Sequence, residues 1–233
     1  QGTSYKGRAY VVPRNSTSYW YGGLAFINGA MTQKEVDIHL TRGGSIQAVG
    51  SFTQQGDNTQ NLFIVVSTTG EVLLYQGDYP DSNTWSLYAR YFIGKPLGVD
   101  CIIYIGGDAH IMCADGIIPV SNLLGNVRNG SKFAAITDII GPSWADSVAA
   151  WQASTTLIAE TWRAVVAPQH NMLLVRATDS TTTPTFFAQN LKTQAWTKFS
   201  GMVTDRMTAI EDKVLMGFSA TTASGTVILE MEK

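Results

Sequence analysis

The side chains able to do chemistry are few and badly spaced for it. Histidines stand at His39, His110 and His170, and cysteines at Cys101 and Cys113. Zinc gathers its donors from close pairs such as Cys-x-x-Cys or His-x-x-x-His, and no such pair occurs. His110 lies in an apolar run beside Ile111 and Met112 and reads as a core or surface residue, while His170 belongs to a polar turn, Pro168-Gln-His-Asn171. No Gly-x-Ser-x-Gly nucleophile elbow is present. Neither cysteine has a recognisable catalytic setting. The acidic residues fall mostly in turns: Asp57, Asp78, Asp81, Asp108, Asp115, Asp179, Asp205 and Asp212. A turn aspartate ordinarily accepts hydrogen bonds from its own backbone, which is a different duty from the paired carboxylates of glycoside hydrolysis. Gly43-Gly44 and Gly106-Gly107-Asp108 have no Lys-Ser/Thr after them and link strands, so they are not phosphate loops. The stretch from Asp57 to Gln60 lacks the donor spacing and closing Glu of a calcium loop. The sequence therefore nominates no catalytic, cofactor-binding or metal-binding residue, and the expectation is a protein that is not an enzyme and needs no cofactor.

The elements around these residues are short strands. Asn61 to Tyr75 is two apolar runs about a Ser67-Thr-Thr-Gly70 turn, followed by a Gly/Asp/Pro/Asn-rich connector and then Trp85 to Ile93. With Ile46 to Phe52 in front, the spacing predicts four strands over about fifty residues, the size of one propeller blade. Cys101 to Ile105, Ala109 to Cys113 and Ile117 to Val120 continue the pattern, with a loose fourth element near Lys132 to Ile136. Further strands are expected at 162–166, 172–177, 185–189 and 196–200, and again at 207–210, 214–218 and 226–231. Near the start, residues 4–12 and 18–26 read as a hairpin joined by a polar loop from Arg14 to Thr17, and Val36 to Leu40 alternates like a strand. Several groups share one logic: an apolar strand, a small-polar turn ending in Gly, then another apolar strand. Glycine there supplies positive φ without steric cost.

One segment breaks the pattern. Thr137 to Trp151 places Trp144, Val148 and Trp151 at helical spacing, and Gly141-Pro142 suits a helix start. The expected fold is therefore all-β: a β-propeller of four-stranded antiparallel blades, four to five blades or partial blades, with one short helix near 137–151 lying against the outside. As a domain reading, 1–233 is a single propeller with that helical insertion.

Composition adds bounds. The 233 residues carry 16 Lys and Arg against 18 Asp and Glu, a net charge of −2, and charged residues make up 15%. Typical soluble domains hold about 25%, so the low charge hints at a surface that meets other protein. No basic stripe favours nucleic-acid phosphates. No stretch approaches the roughly 18 apolar residues that span a bilayer. The chain starts Gln1-Gly2-Thr3 and stops inside an apparent strand, and reads as a segment of a longer protein. Cys101 and Cys113 fall nearly opposite each other across a hairpin, where a disulfide is strained, so two buried free thiols are expected, as suits a reducing cytoplasm. The glycosylation sequons at Asn15 and Asn129 carry no weight without a secretory signal.

Residues 63–85, from Phe63-Ile-Val-Val-Ser-Thr-Thr-Gly to Asp81-Ser-Asn-Thr-Trp85, resemble the central region of structural proteins from tailed bacteriophages. The resemblance runs on through Tyr91-Phe-Ile-Gly-Lys-Pro-Leu-Gly98, Gly106-Gly-Asp108, Asp115-Gly-Ile-Ile-Pro-Val-Ser121 and Pro168-Gln-His-Asn-Met-Leu-Leu-Val175. Trp20-Tyr-Gly and Arg42-Gly-Gly-Ser-Ile46 are similar to the family's lead-in. The family is that of the tail nozzle, tail hub or packaged-DNA-stabilising proteins of short-tailed phages. The resemblance implies a propeller-built virion protein forming a ring, typically sixfold, below the portal and adaptor, which retains or conducts DNA. It implies as partners other copies of the chain, portal adaptor, tail fibre or needle, and DNA passing through without sequence-specific binding. It implies no membrane and a place in the virion tail, assembled in the host cytoplasm. The family offers no catalytic residues to carry over.

A second reading is a receptor- or glycan-binding propeller of a tail adhesin, with Tyr19, Trp20, Tyr21, Tyr79 and Tyr88 as candidate stacking residues. Aromatics of this kind more commonly fill blade interfaces. A cluster of them in one open groove beside Asp or Asn would favour the adhesin. A third reading, a propeller glycosidase, needs two carboxylates about 5–9 Å apart in a central pocket.

Overall fold

The computed structural model describes residues 1–25, 28–54, 60–154, 162–180, 183–201, 204, 206–210, 213–219 and 226–230. Asp57, Asp205 and Asp212 lie outside them. Two compact units form, Gln1–Ile136 and Thr137–Lys233.

The first unit opens with β1 (Gly2–Tyr5), β2 (Arg8–Val11), β3 (Ser18–Tyr21) and β4 (Thr32–Glu35), one four-stranded antiparallel meander. The strand expected over 4–12 is itself a hairpin, because Lys6 and Gly7 both take positive φ and turn the chain back. The Val36–Leu40 alternation is not a strand either. Asp37–His39 forms one turn of 3-10 helix there. The second sheet is the blade read most clearly from sequence: β5 (Ile46–Gln54), β6 (Gln60–Ser67), β7 (Glu71–Gln76) and β8 (Ser86–Phe92), paired in chain order. The third has β9 (Ile102–Ile105), β10 (Asp108–Cys113) and β11 (Gly116–Pro119). Its expected fourth strand does not join it. Instead the chain makes helix α1 (Val120–Leu124) and a separate small hairpin, β12 (Arg128–Asn129) with β13 (Lys132–Phe133).

The second unit carries α2 (Gly141–Ala153), then β14 (Arg163–Ala167), β15 (Met172–Arg176), β16 (Phe186–Asn190) and β17 (Trp196–Phe199) in a four-stranded sheet. A three-stranded sheet of β18 (Arg206–Ile210), β19 (Lys213–Ser219) and β20 (Thr226–Glu230) follows. Pro142 stands in the first turn of α2, where its missing N–H costs nothing. Trp144, Val148 and Trp151 are buried. Trp144 packs 5.3 Å from Trp162 and 5.7 Å from Phe187, so the helix covers one face of the β14–β17 sheet. The opposite face of that sheet, Val165, Ala167, Leu174, Phe186 and Ala188, packs with Met207, Val214 and Met216 of the next.

These sheets are propeller blades. Each is a short meander in chain order, and the first strand of each sits beside the first strand of the next: β1 beside β5, β5 beside β9, and in the second unit β14 beside β18. Packing follows the same order. Phe63, Val65, Leu73 and Tyr75 of the second sheet face the first, with Tyr5, Tyr10, Tyr19 and Tyr21. Leu62, Ile64, Val66, Val72 and Leu74 face the third, with Ile111, Cys113, Ile118 and Leu123. A strand covered on both faces has no reason to alternate, so β6 reads as an unbroken apolar run.

The hydroxyls of Tyr10, Tyr19 and Tyr75 are buried in the interface between the first two sheets without a hydrogen-bond partner. Burial pushes all three phenols well above the ordinary tyrosine value. An unpartnered buried hydroxyl forfeits its hydration with nothing in exchange. Tyr19→Phe should therefore raise stability by about 1 kcal/mol, read as slower hydrogen exchange of the β3 and β6 amides.

Candidate functional site

Several of the side chains able to do chemistry are buried in the fold or tie one element to another. Neither Cys101 nor Cys113 is in a disulfide, and both are fully buried. Burial pushes the Cys113 thiol up to about 12 and raises Cys101 as well. A thiolate is the reactive form, so iodoacetamide at pH 8 should label neither cysteine in the folded chain and both after denaturation, as mass spectrometry would count. His110 is buried in β10 with Nδ1 3.3 Å from the Asp108 carbonyl, and burial lowers its basicity. His39 meets the Tyr75 ring edge to face at 5.8 Å.

The turn aspartates reach beyond their own turns. Asp81 accepts hydrogen bonds from Lys34 Nζ at 2.8 Å and from the Tyr21 hydroxyl, and those bonds hold its carboxyl below the usual value. Asp78 binds Lys6 Nζ at 3.0 Å. Asp115 takes the Gly94 N–H at 2.6 Å. Asp179 accepts from Ser147 Oγ of α2 at 2.8 Å and from the Thr185 N–H at 2.9 Å. Each ties one element to another.

Of the five aromatics proposed for stacking, Tyr19 and Tyr21 are buried in the first interface. Tyr79 sits half-buried, with the Arg8 guanidinium 4.4 Å above its ring. Trp20 and Tyr88 reach the surface, Tyr88 at 44% exposure.

Tyr88 meets a groove. The β7–β8 register pairs Leu74 with Ala89 but Tyr75 with Leu87, so Tyr88 is the extra residue of a β-bulge. A bulge inverts the alternation of a strand and re-aims its side chains. The effect is visible in the packing: Leu87 lies against the first interface, whereas Ala89 and Tyr91 lie against the second. Tyr88 and Tyr91 then line one groove of about 470 Å³ together with Phe52 and Thr53 of β5, the Gly106-Gly107-Asp108 turn, and Ser121, Leu124 and Gly125 at α1. Gly106 and Gly107 both take positive φ, and the volume beyond each is open, so the turn forms a low rim. Asp108 Oδ2 accepts a hydrogen bond from Ser121 Oγ at 2.5 Å, tying β10 to α1, and Oδ1 has no partner. The Tyr91 phenol is raised, first by burial and then by the neighbouring Tyr88 phenol. Asp108 is the one charged side chain among the described residues of the lining.

No protein-family model and no curated protein matches the sequence. Among solved structures the chain is similar to the WD40 domain of SCAP from fission yeast. The identity is 9% and the TM-score 0.38, over 97% of this chain and 61% of that one. The chain thus spans less than two thirds of the length of that neighbour.

Sequence reasoning had Tyr88 and Asp108 in view separately, one as an aromatic and one as a turn residue. It missed Tyr91 and Phe52, because nothing in a sequence marks where a bulge shifts the alternation. The glycosidase reading required two carboxylates in one pocket; the described lining of this groove holds one.

Proposed function

We propose that this chain is a structural component of a short-tailed bacteriophage tail, a nozzle or hub protomer that forms a ring retaining or conducting DNA. The observation that carries the reading is the run from Gly70 to Ser121, which resembles that family and here spans β7 to the start of α1. Several further features accord with it. Charged residues are only 15%. Large apolar side chains stand at the surface, among them Leu24 and Ile38 in the first unit and Ile139 in the second. Such residues are suited to lateral contacts between neighbours in a symmetric ring. A conduit is best served by a wall that does not grip phosphate, and the chain has a net charge of −2. No described helix is long and apolar enough to cross a membrane.

The test is the mass of the purified full-length protein by native mass spectrometry, together with imaging of the assembled particle. A closed ring, sixfold by the resemblance, located in the virion tail is the expected result. A protein that stays monomeric at all concentrations and is missing from the particle overturns the reading.

A further inference from the structure

We propose that the groove between β8, the Gly106-Gly107 turn and α1 binds a neutral sugar. A sugar ring offers an apolar C–H face and a rim of hydroxyls, and a site for it needs aromatic surface and polar groups converging on one volume. The groove supplies both. Tyr88 and Tyr91 line it side by side, and tyrosine joins an apolar ring to a hydroxyl that donates and accepts. Thr53, Ser121 and Asp108 add polar groups on the facing walls. The Asp108 carboxylate spends one oxygen on Ser121 and leaves the other without a donor. The volume of about 470 Å³ falls inside the range of roughly 300–1,000 Å³ typical of small-molecule sites.

Charge narrows the ligand class. No Lys, Arg or His is among the described lining residues, and the single charge is the Asp108 carboxylate. Phosphate, nucleotide and sialic-acid ligands bring negative charge and would meet repulsion without compensation. Placement of the aromatic also argues for a ligand. A bulge that only adjusted twist would not require a large ring to stand 44% exposed, yet the bulge residue is Tyr88, between a Leu87 and an Ala89 that are both packed.

The site does not depend on the ring reading: a nozzle protomer and a free monomer would present the same groove. The experiment is saturation-transfer NMR on the full-length protein with D-glucose, D-galactose, N-acetylglucosamine, L-rhamnose and their oligomers, with choline chloride and methyl phosphate as charged probes. At least one neutral sugar should show saturation transfer and methyl phosphate none. Tyr88→Ala should weaken that binding at least tenfold, Asp108→Asn should weaken it several-fold, and Trp20→Ala, which removes an exposed aromatic elsewhere on the unit, should leave it unchanged. Tyr88→Gln serves if the alanine variant does not fold as judged by circular dichroism. Silence from every neutral sugar, binding of choline in their place, or sugar binding that survives loss of Tyr88 overturns the proposal.

Discussion

Replacing Gly70 with alanine should cost about 3 kcal/mol or more, the largest effect expected of any single methyl in the chain. Gly70 closes the β6–β7 turn at φ +84°, and a Cβ there would stand 2.3 Å from the Ile93 carbonyl oxygen and 2.7 Å from that of Gly94. Both obstacles are backbone. Ile93 cannot move aside easily, because its N–H donates to the Gly70 carbonyl at 2.9 Å. Gly94 is held in turn by Asp115. The conformation alone costs an L-residue roughly 1–2 kcal/mol, and the enforced backbone shift adds roughly 1–3 kcal/mol. Gly43→Ala separates the two contributions: Gly43 has φ +65° and nothing within 4 Å of its missing Cβ. It should lose only the conformational part, about 1–2 kcal/mol. Hydrogen exchange of the β6 and β7 amides in the full chain reads both variants, and a two-unit protein makes that local measurement safer than one global transition. Equal losses for the two substitutions would show that the close approach to Ile93 and Gly94 does not matter.

Removing the Glu71 carboxylate should cost about 3 kcal/mol, the second large effect. Glu71 is fully buried at the start of β7. Its oxygens accept from the Thr41 N–H at 3.2 Å, the Thr41 hydroxyl at 3.0 Å and the Arg42 N–H at 3.0 Å, and Arg90 Nε lies 3.1 Å away. Arg90 itself donates to the His39 carbonyl at 2.8 Å, so the carboxylate is the hub that fastens the 39–42 connection to the second sheet. Burial opposes its ionisation, but the two backbone N–H groups, the hydroxyl and the guanidinium together outweigh burial and hold the carboxyl below its ordinary value of 4.5. A carboxyl lowered in the folded state adds stability that is complete above its unfolded value and disappears as the pH falls through its folded one. Glu71→Ala should therefore open the β7 and Thr41–Arg42 amides to exchange. Glu71→Gln should lose about 1–2 kcal/mol at pH 7, and its deficit against the parent should stay level down to about pH 4.5 and shrink below it. The lowered basicity of buried His110 also favours acid unfolding, but it is common to both proteins and drops out of the difference. A deficit that does not change below pH 4.5 would mean that the charge of Glu71 contributes nothing.

Legibility in the sequence followed how local each cause was. The strand β7 was legible because a Thr-Thr-Gly turn and a Gln-Gly-Asp connector bracket an apolar run. α2 was legible because Pro142 and the spacing of Trp144, Val148 and Trp151 lie within one helix. The Lys6-Gly7 reversal was missed: a lone Lys-Gly pair inside an aromatic-rich stretch gives a weak turn signal, and pairing of Gly2 with Val11 is what holds it. The fourth strand expected near Lys132 to Ile136 was misjudged for a related reason: Lys132 and Phe133 pair with Asn129 and Arg128 instead of with the third sheet, and the buried Phe133 ring joins the core from that small hairpin.

By itself, then, the sequence settled the kind of unit: short apolar strands and glycine turns permit little other than antiparallel meanders, because hydrophobic periodicity and positive φ are properties of neighbouring residues. It settled that β6 is covered on both faces, since an unbroken apolar run needs two apolar neighbours. The tertiary structure alone decided which side chains meet. The bulge at Tyr88, the bare oxygen of Asp108, the four-way grip on Glu71 and the carbonyl pressed against Gly70 all depend on register and on strands distant in the chain. Side-chain direction reverses with a single residue of slip, and no local pattern records that slip.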